Sequence, residues 1–346
     1  MTRTTLFSRA RDGAERAYLI AEIGINHGGD YGLACKTIEA AAKAGADAVK
    51  FQSFKADEFM ADKELLYAYE SGGRVVSESM YAMFKRLELP ASWHEKLQRY
   101  AHAHGVEFLS SAADAASASL LAHLCVPAIK LASEDLINIP LLRHVNALGL
   151  PTLLSTGMAE AFEIERALAE LSSVEIMLLH CVSLYPTPPD QANVSRITAL
   201  KARFGLPVGY SDHTLGVDAA VAAVALGARC VEKHFTLDRA LSGPDHAFSS
   251  PPEEFALLRE RIDACLLRLG DGAIAPGEME RAARLDFRRS VVAARRLEKG
   301  TVLAESDLKL QRPHTGLHPY EMEKIAGKTL RVAIEAGGQL AWDMVE

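Results

Sequence analysis

Eight short runs of apolar and β-branched residues recur through the first 270 residues, at 18–23, 48–51, 106–109, 128–131, 152–154, 176–179, 208–210 and 230–232. Stretches of helical composition separate them, so they read as buried strands in a repeating strand–helix unit. That repetition predicts an α/β protein built on a (β/α)8 barrel. The reactive side chains fall in register with it. Glu22, Lys50, Gln52, Ser111, Lys130, Ser133, Ser155, Tyr185, Ser211, His213 and His234 all sit at or just past a C-terminal strand end. In such barrels that face carries the active site.

The densest chemistry lies in the stretch 208–249, which reads VGYSDHTLG, a small-residue helix, then CVEKHFTLDRALSGPDHAFS. One histidine follows each of its two strands. Adjacent parallel strands lie about 4.8 Å apart, so His213 and His234 could share one metal ion, with Asp212, Glu232 and Asp245 close in sequence. Two imidazoles completed by carboxylate or water oxygens suit Mn2+, Mg2+, Co2+ or Zn2+. Lys50 and Lys130 stand inside apolar strands, DAVKFQ and AIKLAS. A buried ammonium needs a counter-charge, supplied either by a barrel carboxylate or by a bound anion. Ser111, Ser133, Ser155 and Ser211 add neutral donors of the kind a phosphate or carboxylate site uses. A strand lysine could instead form a Schiff base, whereas the histidine pair favours a metal that polarises a carbonyl.

The chain has 346 residues, a formal net charge of -7 and five scattered cysteines with no C-x-x-C. This balance argues against nucleic acid as a partner, and the cysteines suit buried thiols in a reducing, cytoplasmic compartment. No apolar run is long enough to span a membrane. Residues 1–17 read as a polar, Arg-rich tail. Gly28, Gly29 and Gly32 lack the G-x-G-x-x-G spacing and mark a tight turn rather than a dinucleotide site. Residues 55–89 are too long for an ordinary βα connection and suggest a lid or substrate-facing excursion. The barrel is expected over 18–270, a linker over 271–287, and a small β-rich domain over 288–346, where Arg312 by itself reads as a surface arginine.

The long motifs IAEIGINHGGD, GADAVKFQSFKA, KLASEDLINIPLL, LSTGM, LLHCVSLYPTP, VGYSDHTLG and VEKHFTLDR with GPDHAFS resemble the sialic acid synthase family, which makes neuraminic, legionaminic and pseudaminic acids. RRSVVAARRLEKGTVLAESDLKLQRP resembles that family's antifreeze-like (SAF, β-clip-like) domain. The resemblance implies condensation of phosphoenolpyruvate (PEP) with an N-acetylated hexose, either N-acetylmannosamine or a 2,4-diacetamido-trideoxyhexose, and with water. The products are a nine-carbon 2-keto sugar acid and phosphate. It implies His213 and His234 as ligands of a divalent ion, Mn2+ with Mg2+ or Co2+ as alternatives, and Lys50, Lys130, Ser111, Ser133, Ser155 and Ser211 as the PEP site. Gln52, Tyr185 and Asp245 would face the sugar, and Glu22 would stand beside the reacting carbons. The family's SGE turn is Ser133-Glu134-Asp135 here, so either acid could be the catalytic one. A domain-swapped homodimer is implied, with Arg312 reaching the partner's sugar site. The rival readings are a Schiff-base lyase acting on the same nonulosonic acids and a non-catalytic sugar-binding barrel.

Overall fold

The computed structural model describes residues 6–7 and 16–346, so most of the N-terminal tail read from the sequence lies outside the described residues. The chain divides into two compact units, 1–270 and 271–346.

The first unit opens with β1 (Tyr18–Gly24), α1 (Tyr31–Lys43) and β2 (Ala48–Ser53), continues through α2 (Ala56–Phe59), the hairpin β3 (Leu66–Ser71) and β4 (Arg74–Ser79), and reaches α3 (Met80–Leu87) and α4 (Ala91–Ala103). Strand then alternates with helix: β5 (Glu107–Ala112), α5 (Ala115–His123), β6 (Ile129–Leu131), α6 (Ile139–Leu148), β7 (Thr152–Ser155), α7 (Ala161–Glu170), β8 (Ile176–His180), α8 (Arg196–Phe204), β9 (Val208–Asp212), α9 (Asp218–Ala225), β10 (Cys230–His234) and α10 (Pro252–Leu269). Eight strands close in the order β1-β10-β9-β8-β7-β6-β5-β2, and every pairing in the ring is parallel. The barrel expected from the strand–helix repetition is present, and each observed strand starts within one residue of its expected position.

Strand alternation sorts the side chains into two layers. Leu19, Ile23, Val49, Phe108, Leu154 and Val231 belong to the large cluster that the strands share with the surrounding helices. Ile20, Ala48, Leu109, Ala128, Leu153, Leu179 and Cys230 form a separate buried cluster inside the barrel. Leu6 and Phe7 join this interior cluster, so this part of the N-terminal segment contributes to the core. At Gly209 a Cβ would come within 2.6 Å of Leu179 Cδ2 and 2.7 Å of the Cys230 carbonyl, so the crowded interior accepts only glycine there.

The excursion over 55–89 is the α2, hairpin and α3 insertion. Its inner face rests on Ile25 and Phe54 through Met83 and Leu87, with Tyr67, Tyr69, Met80 and Phe84 packed against them. The cysteines are all free, but only Cys181 and Cys230 are fully buried, and Cys125 is exposed. Its place just beyond the C-cap of α5, at φ 51°, carries it to the surface. None of the described helices is long and apolar enough to cross a membrane.

In the second unit, α11 (Glu278–Phe287) leads to β11 (Ser290–Ala293) and its antiparallel partner β12 (Leu308–Gln311), and α12 (Met322–Ile325) follows. The other short β-branched segments contribute isolated bridges rather than full strands, among them Leu297–Ile334, Val302–Thr329 and Leu330–Val345. They enclose a small core that includes Val291, Leu303, Ile325 and Leu340.

His27, in the turn after β1, is fully buried beside Phe51 and Trp93. Its Nδ1 accepts from the Gly29 amide at 3.0 Å, while Nε2 has no partner. Burial lowers its pKa to about 4. Protonation therefore favours the unfolded chain: this site is neutral to stability above about pH 6.5 and costs stability as pH falls from there to about 4. The loss amounts to about 3 kcal/mol. We expect His27→Phe to flatten the fall in the urea midpoint between pH 6.5 and 4 relative to the parent. Parallel curves for the two proteins would show that His27 does not carry the effect.

Candidate active site

The interior cluster explains where the polar groups go. One inward step, two residues, beyond Ile20 comes Glu22; beyond Ala48, Lys50 and then Gln52; beyond Leu109, Ser111; beyond Ala128, Lys130; beyond Leu153, Ser155; and beyond Cys230, Glu232 and then His234. Gly209 leads in the same way to Ser211 and His213. Together they line a cavity of about 830 Å³, open mouth included, at the C-terminal end of the barrel. Ser133, Glu134, Asp135, Tyr185 and Cys181 complete its wall.

The two in-strand lysines differ. Lys50 Nζ lies 2.8 Å from Glu22 Oε2 and 3.7 Å from Glu232 Oε2, so a barrel carboxylate does supply its counter-charge. Burial works against the Lys50 ammonium, but Glu22 and Glu232 outweigh it and raise its pKa above the ordinary lysine value. Lys130 is 3 % exposed and donates to the Leu131 carbonyl at 3.0 Å, and no described carboxylate pairs with it. It makes no direct ion pair among the described residues, and its charge reaches the buried Glu232 only at longer range.

The carboxylates differ as well. Burial pushes the Glu22 carboxyl up to about 7; Lys50 opposes this and Glu232 adds to it. Glu232 is equally buried, yet Lys50 and Lys130 together hold it below the ordinary value, and it accepts from Ser211 Oγ at 2.8 Å. Glu22 answers one lysine and Glu232 two, which is why the pair splits. Gln52 Nε2 donates to Glu22 Oε1 at 3.1 Å. A Cβ on Gly24, at φ +53°, would meet Gln52 Nε2 at 3.1 Å, Glu22 Oε1 at 3.2 Å and Asp245 Oδ2 at 3.6 Å, so three sequence-predicted residues converge on that glycine. Burial and Glu22 push the Asp245 carboxyl up to about 7.

Glu134 and Asp135 part company. Glu134 is exposed to the mouth, while Asp135 is buried and accepts from Asn138 Nδ2 at 3.0 Å. Asn138 in turn caps α6, so Asp135 is tied to helix capping. Ser133 Oγ accepts from the Gly157 amide at 3.1 Å and touches Cys181 Sγ at 3.1 Å. A side chain at Gly157 would stand 2.7 Å from Ser133 Oγ and 2.5 Å from Ser183 Oγ.

The imidazoles of His213 and His234 face each other with ring centroids 5.6 Å apart. His213 Nδ1 lies 2.7 Å from the Val182 carbonyl. A carbonyl only accepts, so that nitrogen carries the proton and Nε2 keeps its lone pair. His234 Nδ1 is buried without a hydrogen-bond partner, 3.6 Å from Asp245 Oδ2. Burial lowers both histidine pKa values, for His234 well below the ordinary value. Two neutral imidazoles, one whose Nε2 lone pair meets only Ser211 Oγ at 3.4 Å and one with an orphaned nitrogen, fit a divalent ion. Among the described residues no group of three or more His, Cys, Asp or Glu side chains is gathered for one. The remaining ligands of an ion held here would be water or substrate oxygens.

Cys181 and Lys233 lie outside the candidates taken from the sequence, and Glu232 entered there only as a carboxylate close to the histidine pair. Glu232 is detectable from the alternation that makes His234 point inward, since it sits two residues before it. Cys181 follows β8 into the cavity wall. Lys233 faces away from the cavity, fully buried, and donates to Asp212 Oδ2 at 2.7 Å and to the Thr214 carbonyl at 2.8 Å. Asp212 Oδ1 also accepts from the Thr214 amide and hydroxyl at 2.9 and 2.7 Å. This knot fastens the turn that carries His213 to the strand that carries His234. A third strand lysine was visible in CVEKHF, but only the fold reveals its partner. Arg312 belongs to the second unit, where its guanidinium lies over the Phe287 ring at 5.4 Å.

A barrel whose reactive side chains gather at its C-terminal mouth is the architecture of a (β/α)8 enzyme. The chain belongs to the NeuB family: that family's profile matches residues 37–273, and the SAF domain profile matches residues 288–346. It is 38% identical over 345 residues to an N,N'-diacetyllegionaminic acid synthase of Legionella pneumophila, covering 98% of this chain and 97% of that one. It is 33% identical to a pseudaminic acid synthase of Campylobacter jejuni, over 94% of this chain and 96% of the other. The crystal structure of N-acetylneuraminic acid synthetase from Leptospira borgpetersenii, in complex with citrate, superposes with a TM-score of 0.71 at 35% identity, covering 78% of this chain and 90% of that one.

If Lys233 holds the two histidines in register, Lys233→Met leaves Asp212 buried and unpaired. We expect a loss of about 3–5 kcal/mol in barrel stability by urea unfolding. Lys233→Met combined with Asp212→Asn should recover part of it. A single variant as stable as the parent would show that the pair constrains nothing.

Proposed function

We propose that this protein is a nonulosonic acid synthase that condenses PEP with an N-acetylated hexose and water. The observation that carries the reading is Lys130, a buried ammonium in direct ion-pair contact with no described carboxylate, in a cavity rimmed by serine hydroxyls. An enzyme that keeps such a charge needs an anionic substrate to offset it. Membership of the NeuB family and the names of its relatives support the same conclusion.

In this reading Lys130 and Lys50 hold the phosphate and carboxylate of PEP, with Ser111, Ser133, Ser155 and Ser211 as neutral donors. Gln52, Tyr185, Asp245 and Glu134 orient the sugar, with Glu134 rather than Asp135 as the acid at the mouth. His213 and His234 would hold the divalent ion, which when bound supplies polarisation of the sugar carbonyl. C3 of PEP forms the new bond to the aldehyde carbon, leaving positive charge at C2. Glu22, beside Lys50 and with a pKa near neutrality, faces that charge and accepts a proton from the water that adds to C2. One water proton ends on the new hydroxyl and the other on the departing phosphate, whose C–O bond breaks. The reactants gain by being held in line while fixed charges meet the charge that develops. Arg312 completes the sugar site of a partner subunit in a homodimer.

Lys130→Met should raise the KM for PEP about tenfold to a hundredfold, with a much smaller change for the sugar. Chelation should abolish turnover, and Mn2+ should restore it. Full turnover by metal-stripped enzyme, or an unchanged PEP constant in a folded Lys130→Met variant, would contradict the site assignment. Borohydride with pyruvate separates the lyase reading, because the synthase forms no covalent adduct.

For the dimer, His213→Ala and Arg312→Ala are each expected to be inactive alone. Mixed dimers should recover activity if Arg312 acts in the partner's barrel. No recovery, with mixed dimers shown to form, would rule that out.

A further inference from the structure

Behind the cavity wall, on the outer side of the barrel, runs a buried chain of hydrogen bonds that the reaction does not touch. Ser53 and Ser110 take the outward positions beside inward-facing Gln52 and Ser111, at the end of the β2–β5 ladder where Gln52 pairs with Ser111. Their Oγ atoms lie 2.7 Å apart, and Ser53 Oγ lies 2.7 Å from Nε2 of His94 on α4. His94 Nδ1 is 3.1 Å from the Pro90 carbonyl. That carbonyl only accepts, so Nδ1 carries the proton and Nε2 accepts from Ser53. With its proton committed, Ser53 accepts from Ser110. The chain therefore has one direction, from Ser110 through Ser53 and His94 to Pro90. All three side chains are buried. Burial, with Lys55 adding to it, lowers the His94 pKa and keeps the ring neutral, as an acceptor must be.

We infer that His94 is a positioning residue: through Ser53 and Ser110 it fixes the two strand ends that present Gln52 and Ser111 to the cavity. Its effect on turnover rests on the synthase reading. The surrounding layer is apolar, with Phe51, Leu97 and Phe108, so a polar chain there carries a desolvation cost that packing alone does not require. What it adds is direction, which apolar contacts lack. β2 needs this, because beyond Ser53 the chain leaves for the insertion over 55–89 and returns to the barrel only in α4. The chain of hydrogen bonds ties that strand end to α4. Gln52 passes the alignment on by donating to Glu22 Oε1 at 3.1 Å, and Ser111 lines the cavity itself. Ser110 has a second acceptor, the Ser111 carbonyl at 3.2 Å. Without the imidazole, Ser53 turns to Ser110, and Ser110 turns its proton to that carbonyl. The tie to α4 is then lost and the peptide after Ser111 gains a new pull.

The test compares His94→Phe, which fills the ring's place without an acceptor, His94→Gln, whose Oε1 can replace Nε2, and Ser53→Ala. The full-length enzyme is assayed by phosphate release with Mn2+, PEP and the faster of N-acetylmannosamine and 2,4-diacetamido-2,4,6-trideoxymannose. His94→Phe and Ser53→Ala should each lower kcat about threefold to tenfold, and raise the PEP KM by less, since the lysines still hold PEP. The double variant should be no slower than the worse single one, because both act through one chain. His94→Gln should keep most of the parent kcat. A Gln variant as slow as the Phe variant, parent-like kcat in His94→Phe, or a double loss equal to the product of the singles would overturn the inference and leave the synthase reading standing. No phosphate release by the parent with either sugar would remove both. A readout independent of turnover and of how the variants fold is the tautomer in the parent, by NMR with 15N-labelled histidine and the His94 signal identified by its loss in His94→Gln. The proton should sit on Nδ1; a proton on Nε2 would reverse the chain and overturn the inference.

Discussion

Charge inside a parallel barrel is the constraint on which the site depends. The interior of a (β/α)8 barrel is a packed apolar core, and the inward alternation of each strand carries that core without a break into the catalytic layer. Side chains placed there must be satisfied by one another or by a ligand. Glu22 and Lys50 form a 2.8 Å ion pair and Glu232 accepts from Ser211, while Glu232 Oε2 is left without a hydrogen-bond partner. Lys130 donates to a backbone carbonyl and makes a direct ion pair with no described carboxylate. That asymmetry separates a lysine already paired with a carboxylate from one left open to an anion, although both line the cavity. The sequence alone left both possibilities open for Lys50 and Lys130 together.

The same layering governs what could be read from the chain. Strand starts and the C-terminal placement of Glu22, Lys50, Ser111, Lys130, Ser155, His213 and His234 follow from local pattern, since apolar runs and their ends are visible residue by residue. Partnerships are not local. Lys233 finds Asp212 across 21 positions and Glu22 finds Gln52 across 30, through strand neighbours that exist only once the barrel closes. Strands buried on both faces also show little apolar–polar alternation, so the sequence did not say that Lys50 points inward and Lys233 outward. The ambiguity between Glu134 and Asp135 had a similar origin. The 3₁₀ turn after β6 sends one to the mouth and the other to the cap of α6, and no residue type signals that choice.

The insertion over 55–89 adds an apolar wall beside the ring of strand-end groups. Its hairpin and α3 bring Tyr67, Met80, Met83 and Phe84 over a mouth whose reacting groups all come from the strand ends and the loops just beyond them. The charged groups and the apolar wall then come from different parts of the chain: fixed charges on the strands, and apolar side chains on a peripheral element. Such a division lets the wall change without disturbing the charge balance around Lys50.

The account's central claim is that PEP is held by these charges so that its C3 attacks the sugar and its phosphate departs with the bridging oxygen. Turnover of PEP labelled with 18O at the oxygen joining C2 to phosphorus tests that claim most directly. Mass spectrometry of the products should find the label in inorganic phosphate, and in 18O water the new oxygen should appear at C2 of the sugar acid. Bridging label retained in the sugar acid would mean P–O cleavage, and would contradict the account of how Glu22 and the two lysines are used.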